Sequence, residues 1–542
     1  AAAAGCGRAT ERILPYVIPP ENLVPGVASW FSTVCRECPA GCGVIARNRD
    51  GRVVKLEGNP DHPVNRGALC IRGQASLQGL YNPDRIQGPL QRDAAGALKP
   101  ATWVQAEKAF ADSVGALVRA NRGSRIAIVS QLESGSLGRL MDLWGQAMGG
   151  RRRVAFEPFA YEPLRAANRA VFGRGAIPHY AFSQANVVLS FGADFLETWL
   201  SPVEYAGGFA AMHAFRNGKA GSFIHVEPRL SLTAANADEW VRNAPGTESL
   251  LALAMLKVIL DERLYAPDAD AQALRGAVKS VSLEAVAEVS GVSTETIAHV
   301  AKVFAKGKPG LALGGGVAAQ GADATRCQMA VNLLNYVAGN VGKRVVFGPD
   351  VALGKANRYA DVLALTRAMA GGEVELLLLI HSNPLYSMPP KAGFAEALKK
   401  VPMVVSFSNQ MDETTAGAHL VLPDLHALES WGDYTAQEGV YGLMQPVMSP
   451  VFDSKAVGDV LLGAAREVLR TPEGKGPLPW KSFEEYLSER WHVLAREVAP
   501  GKPFDLFWEE SLRRGGAWKS VAPAAVRVQP AALAAADEPP EL

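Results

Sequence analysis

Four cysteines near the amino terminus are the residues whose types and spacing most clearly indicate chemistry. Cys35, Cys38 and Cys42 lie within eight residues, and Cys70 follows after 27 intervening residues. Three cysteines on a turn rich in proline and glycine can reach one small cube of iron and sulfide, and a distant fourth completes its ligation. The spacing therefore predicts one [4Fe–4S] cluster that is held by all four thiolates.

Other interpretations of these thiols stay open. A structural zinc site more often has two paired Cys-x-x-Cys knuckles, and a disulfide between Cys35 and Cys38 would join residues very close in sequence. The thiols could also be unliganded, in a site that has lost its cluster. Cys6 and Cys327 stand apart from this group. A chain of 542 residues can bury a core without disulfides, so a role in stability is not needed.

A small β-rich unit is predicted to position the cluster. Alternating apolar and polar residues on both sides of the Asp50-Gly51 turn indicate a β-hairpin between the third and fourth cysteines. The unit is predicted over residues 29–85. It follows an arm, residues 1–28, that is kept extended by several prolines.

Beyond residue 100, short apolar runs alternate with segments of helical periodicity. Runs of this length and composition are typical of buried strands. Buried strands separated by helices form parallel sheets, so the predicted fold class is α/β with doubly wound sheets. The runs cover residues 124–130, 185–191, 222–226, 311–313, 376–380 and 403–406.

The cysteine spacing occurs together with two further motifs, Gly58-Asn59-Pro60 and Asn65-x-Gly-x-x-Cys70. In this combination the chain resembles the molybdopterin oxidoreductases related to dimethyl sulfoxide reductase, formate dehydrogenase and polysulfide reductase. The resemblance covers nearly all of residues 30 to 450. It implies two doubly wound domains that are interleaved in sequence.

This division gives the predicted domains. They are the iron–sulfur cap (29–85), domain II (86–150 with 350–424), domain III (151–349), a helical or irregular return segment (425–520) and a flexible tail (521–542).

Polar turns follow several of the predicted strands. In molybdopterin enzymes the matching turns contact the two guanine dinucleotide arms of the cofactor. Each turn, taken singly, is also explained as a plain loop after a strand. Two of them depart from the family, with Asp194 in place of the usual Asn and Glu248 in place of the usual Asp. An anion beside a pyrophosphate is repulsive. The turns begin at Gly192, Glu227, Ala244, Gly314 and Ser382.

The loop that carries the metal ligand in molybdenum-binding relatives lacks a thiol here. Those relatives use Cys, selenocysteine, Ser or Asp, whereas residues 156–167 contain neither Cys nor Ser. Tyr161 and Glu162 are poor ligands for a soft metal beside thiolates, although Glu162 could serve as a carboxylate ligand. We therefore expect that molybdopterin is absent and that the chain has no catalytic residue.

The region after residue 450 also departs from catalytic relatives, which continue into a β-barrel domain that closes over both pterins. Here the sequence predicts helices over 455–469 and 482–497, so we expect that this barrel is absent. Three segments resemble the molybdopterin-like half of the large iron–sulfur subunit of alternative complex III, a bacterial quinol-oxidising respiratory complex. They are Ile13–Gly26, Gly192–Val203 and Glu429–Tyr434.

This second resemblance implies a non-catalytic electron-transfer and scaffold subunit. Its implied partners are a ferredoxin-like multi-cluster iron–sulfur protein or domain, quinol-binding integral membrane subunits and cytochrome c subunits. Arg72, beside Cys70, is a candidate for tuning the cluster, because catalytic relatives often have Lys there; a surface salt bridge is equally open. The alternative function is a catalytic molybdenum or tungsten bis(pterin) subunit of a polysulfide or thiosulfate reductase.

The net charge and the amino-terminal residues indicate which partners and which cellular location to expect. With 55 Lys+Arg and 54 Asp+Glu the net charge is +1, which provides no overall field for nucleic acid, and we expect none as a partner. Small residues running into Cys6 resemble the end of a bacterial signal peptide, so Cys6 is a lipidation candidate, although a linker with a free thiol is equally open. We expect a peripheral protein on the periplasmic side of the inner membrane.

Overall fold

The computed structural model describes residues 24, 26–215, 218–316, 320–472 and 474–529. The strands in chain order are β1 Ala28–Val34, β2 Gly43–Arg49, β3 Arg52–Gly58, β4 Leu90–Arg92, β5 Leu98–Pro100, β6 Ile126–Ser130, β7 Val154–Ala155, β8 His179–Tyr180, β9 Val187–Phe191, β10 Ser222–Val226, β11 Glu239–Val241, β12 Gly310–Gly314, β13 Val345–Val346, β14 Leu376–Ile380, β15 Met403–Phe407, β16 Leu420–Val421, β17 Gly432–Gln437, β18 Val440–Met444 and β19 Gly516–Trp518.

The helices alternate with these strands through most of the chain. They are α1 Ile71–Leu80, α2 Trp103–Arg119, α3 Ser136–Ala147, α4 Glu162–Phe172, α5 Pro202–His213, α6 Leu232–Ala235, α7 Glu248–Asp261, α8 Ala271–Gly276, α9 Leu283–Ser290, α10 Thr294–Lys306, α11 Ala324–Val337, α12 Tyr359–Ala370, α13 Pro384–Ser387, α14 Phe394–Leu398, α15 Val457–Leu469, α16 Phe483–Val498 and α17 Phe504–Arg514.

The amino-terminal part of the described chain is a three-stranded antiparallel sheet in the order β1-β2-β3. Its hairpin turns at Asp50 and Gly51, which both have positive φ, a conformation that Asp and Gly accept better than most residues. The register pairs Val34 with Gly43, so the first cysteine loop joins the ends of β1 and β2. The predicted hairpin is confirmed.

The largest sheet has seven strands in the order β5-β4-β16-β15-β14-β6-β7. Strands β14, β15, β6 and β7 run parallel to their neighbours, and all five residues of β14 are buried. Alternate β14 side chains enter two cores, Leu378 with α2, α3 and α15 on one face and Leu377 with α12 and α14 on the other. Helices cover both faces, which explains the continuous apolar run.

A second parallel sheet has four strands in the order β11-β10-β9-β12. Its strands lie in the part of the chain between β7 and β14, so the two sheets are interleaved in sequence. Helices α4, α7, α10 and α11 pack with this sheet in one large core. The predicted α/β class with two interleaved parallel sheets is therefore confirmed, while the exact domain boundaries stay a prediction.

The segment after residue 424 differs in part from the helical or irregular structure that the sequence predicts. Helices α15 and α16 match the two predicted helices closely, but β17, β18 and β19 form an additional antiparallel sheet. The signal for β17 is weak because Asp433, Thr435 and Gln437 interrupt its apolar residues. None of the sheets that the described residues form closes into a barrel.

The end of the described chain also differs from the flexible tail predicted from residue 521. The Ala524 amide donates to the carbonyl of Phe347 and the Gln529 amide to that of Val171, both at 2.7 Å. Val526 packs against the core of the four-stranded sheet. The lipidation candidate Cys6 lies outside the described residues. In the described part of the chain, no helix combines the length and apolar character needed to cross a bilayer.

Candidate metal centre

The first three cysteines lie on a loop that is closed by its own backbone. The Cys35 amide donates to the Cys42 carbonyl at 2.8 Å, directly beyond the last β1–β2 pair. Gly41 within this loop has φ +58, and an added Cβ would lie 2.5 Å from Cδ1 of Tyr434. The loop therefore needs glycine at this position, both for its backbone and for its close contact with Tyr434.

Asn65 brings the fourth cysteine to this loop. Its Oδ1 accepts from the Gly43 amide at 2.8 Å, and its Nδ2 donates to the carbonyls of Gly43 at 2.8 Å and Ala68 at 2.6 Å. The side chain is buried, so these bonds do not compete with water. One amide group thus fixes the residue after Cys42 to a residue two positions before Cys70, which gives a physical role to the Asn-x-Gly-x-x-Cys motif.

The Gly-Asn-Pro motif completes this clamp. The Asn59 amide donates to the Gly43 carbonyl at 2.9 Å, and its own carbonyl accepts from the Gly67 amide at 3.0 Å. Its Nδ2 donates to the Arg514 carbonyl at the end of α17, at 2.8 Å. A Cβ at Gly58 would lie 2.5 Å from the Gly67 carbonyl oxygen. The motif therefore holds the cysteine loops together and ties them to the carboxy-terminal region.

The four thiols are mutual neighbours in a buried environment. Burial raises the pKa of Cys35 to about 12, and the charges of Cys38 and Cys70 add to this rise. Burial likewise raises the pKa of Cys42, with Cys35, Cys38 and Cys70 acting in the same direction. All four are free thiols, so disulfides are not formed. Ligands of this kind bind metal as thiolates and release their protons on binding.

The arrangement suits a cluster better than a single ion. Among the residues that the structure describes, no three His, Cys, Asp or Glu side chains are placed around one point as ligands of one metal ion. A [4Fe–4S] cluster needs a wider set, because each thiolate binds a different iron of the cube. Cys35, Cys38, Cys42 and Cys70 are the residues that would hold such a cluster.

Arg72 lies in the first turn of α1, exposed and next to the cysteine loop. Burial raises the pKa of Cys38, and the positive charge of Arg72 acts against this rise. Burial also raises the pKa of Glu37, and the charge of Arg72 lowers it. The structure thus places Arg72 where its charge acts on Cys38 and Glu37, and its role in tuning a cluster stays a prediction.

A buried chain of charged side chains links the cysteine loop to the seven-stranded sheet. Arg36 Nη2 lies 2.9 Å from Glu133 Oε2, Glu133 Oε1 lies 3.0 Å from His381 Nδ1, and His381 Nε2 lies 2.5 Å from Asp424 Oδ2. The guanidinium of Arg36 also stacks 3.9 Å from the ring centre of Tyr434. We call Arg36, Glu133, His381 and Asp424 the charge chain.

Glu133 and His381 of the charge chain favour each other's charged forms. Burial alone would lower the pKa of His381, but its bonds to Asp424 and Glu133 outweigh burial and raise it to about 10. Burial would raise the pKa of Glu133, but Arg36 and His381 lower it to about 2. His381 has φ +51, an unusual backbone conformation for a residue with a Cβ. The sequence alone gives no signal for this network, because its members come from four distant segments.

The charge chain lies at the point where ligands bind in doubly wound sheets. Strand order in the seven-stranded sheet reverses between β6 and β14, and such sheets bind ligands at the carboxyl ends of these strands. Glu133 and His381 follow these two strands. A cavity of about 250 Å³ beside them is lined by Arg36, Glu133, His381, Asp424 and Asp433 among others.

The corresponding point of the four-stranded sheet lies between β9 and β12 and is closed by the chain itself. A Cβ at Gly316 would collide with the carbonyl oxygen of Gly192. The indole of Trp199 is fully buried and lies so close to Gly315 that a Cβ there would collide with it. The protein's own side chain thus fills this crevice.

The turns around this sheet carry carboxylates that already have partners. Thr198 donates to Asp194 Oδ2 at 2.5 Å, and Asn243 Nδ2 donates to Glu248 Oε1 at 3.0 Å. Glu227 is fully buried and contacts His225 Nε2 at 3.2 Å. These acids repel a pyrophosphate.

The loop that holds the metal in molybdenum-binding relatives is occupied by internal bonds. Glu162 Oε1 accepts from the Tyr359 amide at 2.6 Å. The Tyr161 hydroxyl accepts from the Leu200 amide at 3.3 Å, and burial raises its pKa to about 12. Tyr161 is therefore a protonated phenol, and Glu162 is directed to the start of α12, so neither fits as a ligand of molybdenum.

Comparison with known proteins identifies the class. The family model described as molybdopterin oxidoreductase matches residues 85–461, and that of the molybdopterin oxidoreductase Fe4S4 domain matches residues 28–82. The chain belongs to the molybdopterin oxidoreductase family, which confirms the family predicted from the cysteine spacing. The match to the Fe4S4 domain supports a [4Fe–4S] cluster.

Particular relatives refine this result. The chain is 32% identical over 505 residues to the menaquinone reductase, molybdopterin-binding-like subunit of Nitratidesulfovibrio vulgaris, covering 90% of this chain and 70% of the relative. It is 24% identical over 500 residues to the molybdopterin-containing subunit of the arsenate respiratory reductase of a Shewanella species, covering 75% of this chain and 56% of the relative. Acetylene hydratase from Pelobacter acetylenicus has the same fold, with a TM-score of 0.71 at 19% identity, over 88% of this chain and 73% of that chain.

Proposed function

We propose that the chain is a non-catalytic subunit of a membrane-bound quinol-oxidising respiratory complex of the alternative complex III type. In this role it transfers electrons through one [4Fe–4S] cluster and serves as a scaffold on the periplasmic side. The similarity to the Nitratidesulfovibrio relative, a molybdopterin-binding-like subunit of a menaquinone reductase, supports a quinone-linked complex. The observation that carries the proposal is that the four cysteines are kept, while Trp199 occupies the crevice of the four-stranded sheet and the charge chain lines only a small cavity at the other.

The space at these crevices supports the loss of the pterin. A drug-sized ligand fills a pocket of about 300–1,000 Å³, and a pair of pterin dinucleotides is larger than such a ligand. The cavity beside the charge chain has about 250 Å³. Opening it would separate Glu133 from His381, which would leave buried charges without partners at a cost of several kcal/mol (about 3–5).

The surface around the cysteines supports an electron-transfer partner such as a ferredoxin-like iron–sulfur protein or domain. Ile71, directly after Cys70, is 84% exposed, and Phe159 is 76% exposed. Phe159 lies two residues from Tyr161, which interacts electrostatically with Cys38 and Arg72. Large apolar side chains exposed at a redox site favour contact with a partner. Quinol-binding membrane subunits and cytochrome c subunits complete the proposed assembly, and a lipid on Cys6 would anchor it.

Metal analysis of the full chain, purified without oxygen, tests the proposal. We expect about four iron atoms per chain and neither molybdenum nor tungsten. Cys70→Ser should lower the iron content, whereas Cys327→Ser, which changes a buried cysteine outside the site, should leave it unchanged. Stoichiometric molybdenum or tungsten would refute the non-catalytic role and favour the polysulfide or thiosulfate type reductase. Absence of iron would refute electron transfer by this chain.

A further inference from the structure

Three arginines converge on a cavity that the proposed function does not use. The cavity has about 320 Å³ and is lined by Arg165 and Arg169 of α4, Arg358 before α12, and Thr325 in the first turn of α11. Glu162 is the one carboxylate among the described lining residues. Its Oε1 accepts from a backbone amide, as described above, and one carboxylate cannot balance three positive charges.

Two of these arginines have no acidic partner. Within the described ranges, no carboxylate oxygen lies within 4.0 Å of the guanidinium of Arg165 or Arg169. Nη1 of Arg165 is buried and has no hydrogen-bond partner among the described residues. Arg358 contacts Asp361 at 3.3 Å, with 61% of its side chain exposed. A buried N–H group without a partner is costly, so a ligand that accepts this bond would be stabilised.

Two other arginines of limited exposure each have a carboxylate partner. Arg36 is paired with Glu133 at 2.9 Å, and Arg153 is paired with Asp142 at 3.0 Å. Burial lowers the pKa of Arg165; the charges of Glu162 and Asp361 oppose this change, and those of Arg169 and Arg358 add to it. The described lining of this cavity thus has three arginines and one carboxylate.

We propose that this cavity binds a small oxyanion, a phosphate or carboxylate group, between the guanidinium groups of Arg165, Arg169 and Arg358. Guanidinium groups bind such anions through paired N–H bonds of fixed geometry. The Thr325 hydroxyl supplies a further donor. The volume lies at the lower end of small-molecule pockets, so the anion is a small metabolite or inorganic ion. This site is independent of the cluster and of the proposed electron transfer.

Isothermal titration of the full chain with inorganic phosphate and, separately, with succinate tests the proposal at low ionic strength. We expect saturable binding of at least one anion, weakened by about tenfold or more in Arg165→Gln. Arg152→Gln removes the same charge from an exposed residue that does not line the cavity and should bind as the wild type does. Phosphate binding alone identifies a phosphate site, and succinate binding alone identifies a carboxylate site.

Two results would overturn the proposal. One is the absence of saturable binding of either anion, and the other is an equal effect of the Gln substitutions at 165 and 152, which would indicate a general charge effect. Arg165→Lys keeps the positive charge but loses the forked geometry. If Arg165→Gln fails to fold, Arg165→Lys gives the same comparison, with weaker binding expected and unchanged binding contradicting the site.

Discussion

Glu429→Gln should destabilise the junction between the cap and the segment after the seven-stranded sheet. Glu429 and Arg85 form a buried pair whose side chains are 0% and 1% exposed, with Arg85 Nη2 2.8 Å from Glu429 Oε2. Glu429 also accepts from the amides of His426 and Val451, each at 2.8 Å. The substitution keeps the size of the side chain but leaves the Arg85 guanidinium buried without a counter-charge.

The expected loss is large because the pair is fully enclosed. Removal of one partner of a buried ion pair costs about 3–5 kcal/mol. The exposed pair Lys108–Asp112, with side chains 66% and 59% exposed, provides a matched control, since such pairs contribute about 0.3–0.5 kcal/mol. Asp112→Asn should therefore have almost no effect, although it makes the same chemical change.

Urea unfolding and hydrogen exchange measure this difference. Glu429→Gln should lower the free energy of unfolding by about 3 kcal/mol or more, and exchange of the His426 and Val451 amides should accelerate by about 100-fold. Asp112→Asn should leave both quantities near wild type. A loss below about 1 kcal/mol for Glu429→Gln, or equal exchange in both variants, would refute the conclusion that this ion pair joins the two regions.

Three further predictions follow from the same structure. Asn65→Ala should remove most of the bound iron, because Cys70 loses its tie to the first loop; unchanged iron and an unchanged cluster spectrum would contradict the clamp. Gly41→Ala should destabilise the chain by about 1–3 kcal/mol through φ strain and contact with Tyr434, measured by urea unfolding. The folded pKa of His381 is raised from 6.5 to about 10, so its contribution is complete below pH 6.5 and is lost as pH rises through 10. The difference in unfolding free energy between the wild type and His381→Gln should shrink over that range, and a constant difference would be the contrary result.

The sequence predicts best the parts of the fold that are determined locally. Strand β14, Leu376–Ile380, is recognisable because all five residues are apolar and helical segments flank it. The cap hairpin follows from the Asp50-Gly51 turn and the alternation around it. The cysteine set is recognisable because ligands of a cluster must be cysteines and three of them are neighbours in sequence.

The rest depends on contacts between distant segments, which periodicity does not encode. The charge chain joins residues 36, 133, 381 and 424, and only the fold brings them together. Strand β19 has three residues and is held by pairing with β18. The segment 521–529 reads as an alanine- and proline-rich tail, yet its bonds to Phe347 and Val171 fix it against the four-stranded sheet.

Residues at the crevice of the seven-stranded sheet also contact the cysteine loop, so the proposed cluster site and this crevice share their packing. Arg36 is bound to Glu133 at the end of β6, while its neighbour Cys35 belongs to the proposed cluster. Tyr434 stacks on Arg36 and donates to the Pro39 carbonyl at 3.0 Å. A pterin would have to displace these contacts. The position of the cysteine loop therefore depends on side chains that line this crevice, and a change at Glu133 or Tyr434 should also affect the proposed cluster site.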